Sequence, residues 1–220
     1  MSYAIELTGV GWRPGKGFAI EDLNLGVPRG SVYGFLGPNG SGKTSTIRMI
    51  MGMTRPHAGQ IRVLDGRVPK DLPQVLARTG YVAERPHLYP ALTVDEALRY
   101  HGAFFPLWDR VWAEQLAKQL GLGLDQKIGR MSKGETGKLL VLLALSQRPD
   151  LLILDEPTDG LDPVIRRDVI TAILDYVSET SATVMTGSAG ALWITRAGTL
   201  KIASLRTLLI VVAPNSGSAR

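Results

Sequence analysis

Gly37-Pro38-Asn39-Gly40-Ser41-Gly42-Lys43-Thr44-Ser45 fits the pattern G-x-x-x-x-G-K-[ST], whose backbone cradles phosphate. Its flanks suit that reading. The apolar run Ser31 to Leu36 has strand character before it, and Ser45 to Met51 continues as a helix after it. Glycines let the backbone turn tightly and aim N–H groups at phosphate oxygens, while the helix N-terminus adds its positive dipole end. Lys43 supplies a point charge for the β and γ phosphates, and Thr44 stands where it would ligate Mg2+.

The chain has 220 residues, enough for one large domain with a buried core. Its 45% hydrophobic and 20% charged residues are ordinary for a globular protein. No segment approaches the roughly 18 consecutive apolar residues of a membrane span. The start Met1-Ser-Tyr-Ala-Ile-Glu-Leu7 lacks a secretory pattern and the chain has no cysteine, which points to a cytoplasmic protein. The net charge of +5 is scattered and forms no basic run, so it reads as solvated surface charge, with no nucleic acid expected as partner.

Strands and turns fill the first third, with Ala4 to Leu7, Phe18 to Leu25, Ser31 to Leu36 and Gln60 to Leu64 as short apolar or alternating runs. Helical signals follow. Thr93-Val-Asp-Glu96 and Ser132-Lys-Gly-Glu135 are capping boxes, each opening a helix. Trp108, Val111, Trp112, Leu116 and Leu120 recur at helical spacing and read as a core stripe. Leu151-Leu-Ile-Leu-Asp155 is a continuously apolar strand of the kind buried in a parallel sheet. The expected fold is an α/β P-loop nucleotide hydrolase: a parallel core sheet, an N-terminal antiparallel β subdomain, and a helical insertion at about 85–149. Residues 1–206 form its nucleotide-binding domain and 207–220 an irregular tail.

An acid at the C-terminal edge of such a strand lies beside the phosphate loop in a doubly wound sheet. Asp155 is therefore expected to hold Mg2+, and Glu156, one residue on, to polarise the water that attacks the γ phosphate. Taken together, Gly37 to Ser45, Met131-Ser-Lys-Gly-Glu135, Leu151 to Glu156 and Asp159-Gly-Leu-Asp162-Pro163 resemble, in order and spacing, the motifs of ABC-type ATPases. The similarity covers roughly Tyr3 to Ser181, and the later motifs look most like the ATP-binding subunits of ABC-2 type exporters.

That resemblance implies ATP and Mg2+ as ligands, with each ATP held between the P-loop of one nucleotide-binding domain and the signature cap of a second. Ser132 and Gly134 would then act in trans, and Asp162 would be the acid of the D-loop that crosses the dimer interface. A plain capping box explains Ser132 equally well as a local feature. Trp12 is the nearest candidate for stacking on the adenine, with Tyr3 the other. A separate transmembrane permease subunit would be the further partner, placing the chain on the inner face of the cell membrane.

Departures from the family pattern matter. Lys133 stands where the signature has glycine and Glu135 where it has glutamine, so an acid near a phosphate site would be offset by a lysine. Glu84 stands in place of a metal- and water-contacting glutamine, either as an oxygen ligand to Mg2+ or as a surface glutamate. The three histidines, His57, His87 and His101, all precede Asp155, so the family's switch histidine near Ser188 is missing. Arg196 to Lys201 resembles a hairpin that normally follows one more helix. This leaves open an ATP-binding module that hydrolyses poorly.

Overall fold

The computed structural model describes residues 2–15, 18–84, 87–188 and 208–212. They belong to two compact units, Met1–Leu76 with Thr183–Arg220, and Ala77–Ala182.

In the first unit, β1 (Tyr3–Trp12) pairs antiparallel with β2 (Ile20–Pro28) on one side and β4 (Ala58–Val63) on the other. β5 (Gly66–Val68) extends the sheet beyond β4. The register places Ile5 opposite Val27 and Val63, and Leu7 opposite Leu25 and Ile61, so one face is apolar and buried. β1 is longer than its apolar run because bulges let it continue past Leu7 to Trp12. Gly59 is required at that crossing, since a Cβ there would lie 2.4 Å from the Gly9 carbonyl oxygen.

The same unit carries β3 (Val32–Leu36), flanked by parallel partners β8 (Thr183–Ser188) and β9 (Leu208–Val212). β3 is nearly continuously buried, as its unbroken apolar sequence requires. α1 (Lys43–Ile50) follows β3 and buries Ile47, Met49 and Ile50 on the side packed against β4 and β8; α2 (Leu72–Leu76) is a short helix near β5. The strand Leu208–Val212 corrects the expectation of an irregular tail over 207–220: five consecutive aliphatic residues form a parallel ladder with β3. The hairpin read at Arg196 to Lys201 lies outside the described residues.

In the second unit, β6 (Thr79–Val82) runs parallel to β7 (Leu151–Asp155), all five residues of which are buried. The helices are α3 (Val94–Gly102), α4 (Arg110–Gln119), α5 (Lys133–Ser146) and α6 (Pro163–Thr180). Both capping boxes are formed, Thr93 with Glu96 and Ser132 with Glu135. α5 is apolar nearly all round from Leu139 to Leu145 because it is buried on every side. Gly80 lets it lie close on β6, since a Cβ there would come within 2.8 Å of the Ala144 carbonyl.

The stripe of tryptophans and aliphatics is a core face only at its Leu116 and Leu120 end. Asp109 caps α4, so Trp108 precedes the helix; Val111 is 68% exposed, and Trp112 is half-buried. Leu116 and Leu120 are buried as expected, and Ala113 and Ala117 complete the buried face. Trp112 packs edge-on against Tyr176, with the Arg148 guanidinium over both rings at 5.0 and 5.4 Å.

Candidate functional site

The residues singled out from the sequence fall in both units. Trp12 and Gly37 to Ser45 belong to the first, and Glu84, Ser132, Gly134, Asp155, Glu156 and Asp162 to the second.

The glycine loop runs from the end of β3 to the start of α1, with Pro38, Asn39 and Gly40 exposed at its tip. Gly40 and Gly42 have φ of 80° and 95°, the left-handed region that side chains disfavour. Gly42 also leaves no room, since a Cβ there would lie 3.0 Å from Phe18 Cζ and 3.1 Å from Ile20 Cδ1. Lys43 opens α1 but is only 6% exposed, because its side chain folds back over the loop. Its Nζ donates to the Gly37 carbonyl at 2.7 Å and to the Pro38 carbonyl at 3.2 Å. An ammonium, a helix N-terminus and a turn of backbone amides are thus assembled around one exposed loop, the makings of a phosphate site.

Trp12 ends β1 opposite Ile20 and is half-buried, with its ring edge-on to Phe18 at 6.3 Å. The aromatic pair therefore adjoins Gly42 through Phe18. Phe18 was read only as the start of a strand, and no local pattern could show that its ring meets the loop.

At the end of β7, Asp155 is buried with 1% of its surface exposed, and Glu156 follows with φ of 51°. A non-glycine residue held in that region costs on the order of 1 kcal/mol or more and tends to mark a functional turn. The chain then turns through Glu156 to Leu161, where Asp159 N–H donates to the Glu156 carbonyl at 3.1 Å. Asp162 caps α6 ahead of Pro163, where its Oδ1 accepts from Val164 and Ile165 N–H, both at 3.0 Å. Glu84 is exposed, just beyond β6.

At the start of α5, Ser132 Oγ accepts from the Glu135 N–H at 3.2 Å, and Glu135 Oε2 accepts from the Ser132 N–H at 2.8 Å. The Gln126 side-chain amide donates to Glu135 Oε1 at 2.8 Å. These bonds, that of the Ser132 backbone first, hold the Glu135 carboxyl below the usual carboxylate range. Lys133 does not offset the acid. Its ammonium lies over Gly160 and 3.8 Å from Asp159 Oδ2, because N1 of the helix points its side chain at the turn after β7. Gly134 is buried, and a Cβ there would lie 2.2 Å from Ile165 Cδ1, so it allows α5 and α6 to touch. Sequence reasoning had no means to find that contact partner.

It also missed a surface. Tyr89, Tyr100 and Phe104 are exposed yet stacked edge-on at 5.5 and 5.2 Å, an apolar cluster facing outward from the helical insertion. Among the described residues no helix is long and apolar enough to cross a membrane.

A sequence profile described as ABC transporter matches residues 20–159. The bacitracin transport ATP-binding protein BcrA of Bacillus licheniformis is 34% identical over 190 residues, 86% of this chain and 62% of that protein. Nod factor export ATP-binding protein I of Cupriavidus metallidurans is 37% identical over 171 residues, 76% of this chain and 56% of that protein. The chain thus spans about three fifths of the length of these curated relatives. Among solved structures, the dimeric post-hydrolysis state of the ATP-binding cassette MJ0796 bound to ADP and Pi matches with a TM-score of 0.75. That likeness covers 86% of this chain and 89% of that one at 20% identity, which shows a shared fold.

Proposed function

The chain belongs to the ABC transporter family as an ATP-binding domain, and from that premise we propose that it hydrolyses ATP to drive an exporter. The nucleotide-binding domain takes in the helical insertion at about 85–149 and extends past 206 to include the strand Leu208–Val212. It works as a dimer, homomeric or heteromeric, docked on a separate transmembrane permease at the cytoplasmic face of the membrane. The observation that carries the reading is the loop Gly37 to Thr44, with left-handed Gly40 and Gly42 and the buried Lys43 ammonium turned over its carbonyls. Export follows the names of the relatives, one a bacitracin transport protein and the others Nod factor export proteins.

In this reading the backbone amides of Gly37 to Ser45 and Lys43 hold the β and γ phosphates and spread the charge that develops during transfer. Trp12 packs against the adenine. Thr44, Asp155 and Glu84 would hold Mg2+, since a hydroxyl and carboxylates are the hard oxygen donors this ion takes. When bound, the ion neutralises phosphate charge. Glu156, at a turn where its backbone is left-handed, accepts a proton from the attacking water. Ser132 and Gly134 meet the nucleotide of the facing subunit, since the Ser132 oxygen accepts a bond from Glu135 N–H and still has its own proton to donate. Asp162 faces the same interface. The exposed Tyr89, Tyr100 and Phe104 give the permease an apolar surface to dock on.

A second reading is favoured by one sequence fact: no histidine follows His101, so the family's switch histidine has no counterpart. On that reading the domain binds ATP and associates with a partner but turns over slowly, by about two to four orders of magnitude. Phosphate release with MgATP at rising protein concentration, compared with Glu156→Gln, separates the two. A concentration-dependent rate abolished by the substitution supports hydrolysis; background rates in both, with ATP bound, mark the second reading or a subunit that needs its partner to act. Absence of MgATP binding in calorimetry refutes both.

A further inference from the structure

We propose that Gln126 is a positioning residue that fastens the start of α3 to the Ser132 cap of α5. The inference rests on the reading of Ser132 as a nucleotide contact for the facing subunit, and it adds a residue outside every motif of the family.

Gln126 sits in the short segment between α4 and α5, and it bonds in two directions. Its carbonyl accepts from the Val94 N–H at 3.1 Å, the first amide of α3. Its side-chain amide donates to Glu135 Oε1 at 2.8 Å, the acid of the α5 capping box. Around it the backbone is laced to the α3 side. Asp95 N–H donates to Leu124 O at 2.9 Å, Ile128 N–H to Leu92 O at 2.9 Å, and Gly129 N–H to Pro90 O at 2.9 Å. Thr93 and Lys127 form a bridge between them.

The two capping boxes are therefore not independent. Glu135 divides its carboxylate, one oxygen for the Ser132 N–H and the other for Gln126. Removing the Gln126 donor leaves the box intact on paper but releases it from the segment that holds α3.

The chemistry allows a reciprocal test. Gln126→Glu sets one carboxylate against another, whereas the double change Gln126→Glu with Glu135→Gln reverses donor and acceptor and restores the pair. Either Glu or Gln serves a capping box. Lys138, the cation nearest Glu135 on its own helix, is engaged by Leu120 O at 3.0 Å and Asp168 at 2.7 Å, and Lys133 is turned to Asp159. From the segment opposite, Asp125 and Lys127 flank Gln126. With those groups unchanged, the reversal isolates one bond.

Amide hydrogen exchange of the full chain without nucleotide is the first readout, and MgATP-dependent dimer formation in sedimentation the second. For Gln126→Glu, exchange at 132–136 and 93–95 rises about tenfold, the size expected for losing a hydrogen bond to a charged acceptor. The defect shrinks from pH 8 to pH 5, as a shared proton restores a donor to the carboxylate pair. The double change returns exchange to within about twofold of the parent, and where the parent dimerises with MgATP it recovers dimer formation too. Unchanged exchange in Gln126→Glu, or a double change as exposed as the single, overturns the proposal. A parent that binds MgATP but never dimerises refutes a homomeric trans role of Ser132, while the exchange pattern still decides Gln126.

Discussion

Replacing Gly134 with alanine separates two reasons for a glycine at that place, its packing and its proposed closeness to a nucleotide. A Cβ at Gly134 would lie 2.2 Å from Ile165 Cδ1 and 3.4 Å from Ile165 Cγ1 and Cγ2. Only the first distance is a clash, and it is with the far end of a flexible side chain. Turning Ile165 off its rotamer costs about 0.5–1.5 kcal/mol, and overfilling a packed seam costs about 1–3 kcal/mol. Alanine returns up to about 1 kcal/mol of helix propensity, less in a first turn than in mid-helix. The net expectation is a loss of about 1–2 kcal/mol, or roughly 2–8 °C in Tm for a chain of this size. Ile165→Val removes the clashing methyl, keeps the two ordinary contacts, and alone costs below about 1 kcal/mol at a half-buried site. Urea unfolding of the four chains should show the valine change restoring most of the stability lost in Gly134→Ala. If Gly134→Ala is as stable as the parent, or Ile165→Val gives no recovery, the packing account is wrong. If the stability returns and ATP-dependent association does not, the glycine serves the facing nucleotide as well as the seam.

Glu156→Gly and Glu156→Ala both remove the proposed base and should both abolish phosphate release. Since φ at Glu156 is 51°, the glycine variant should be the more stable of the two by about 1 kcal/mol, read by thermal unfolding. Equal stability would show that the turn relaxes without strain. The Glu135 carboxyl lies below its unfolded value, so its contribution to stability is present above about pH 4.3 and is lost as pH falls through the folded value. The stability gap between the parent and Glu135→Gln should accordingly narrow on acidification from pH 7, and a constant gap in unfolding curves would contradict it. Tyr100→Ser with Phe104→Ser should leave Tm within about 2 °C, since both side chains are exposed, while reducing co-purification with a permease at least tenfold. Retained co-purification would remove that cluster as the docking surface.

What could be read from the sequence was what local chemistry decides. The glycine loop declared itself because Gly40 and Gly42 need left-handed backbone, and the two capping boxes because their partners are three residues apart. β7 was legible from five residues, four of them apolar and the last an acid. Contacts made through space were not. Lys133 was expected to offset Glu135, two residues away, but it reaches Asp159, while Gln126 meets the acid instead. The stripe from Trp108 to Leu120 held only at Leu116 and Leu120, because helical spacing says which residues share a face, not whether another element covers it. Leu208 to Val212 was passed over as tail because a strand at a sheet edge needs a neighbour the local pattern does not name.

Lys43 spans its own loop, bonding the carbonyls of Gly37 and Pro38. A turn built on glycines has little of its own to keep its shape, and the ammonium ties two of its carbonyls together. On the proposed reading the loop would keep its form between nucleotides, so that a departing ligand would leave behind a shaped receptacle. Arrival of a phosphate would, on that reading, be an exchange of oxygens around one cation. The lysine would then serve the idle interval between ligands as well as the grip during binding, and an arginine, too broad to tuck over two neighbouring carbonyls, would serve neither.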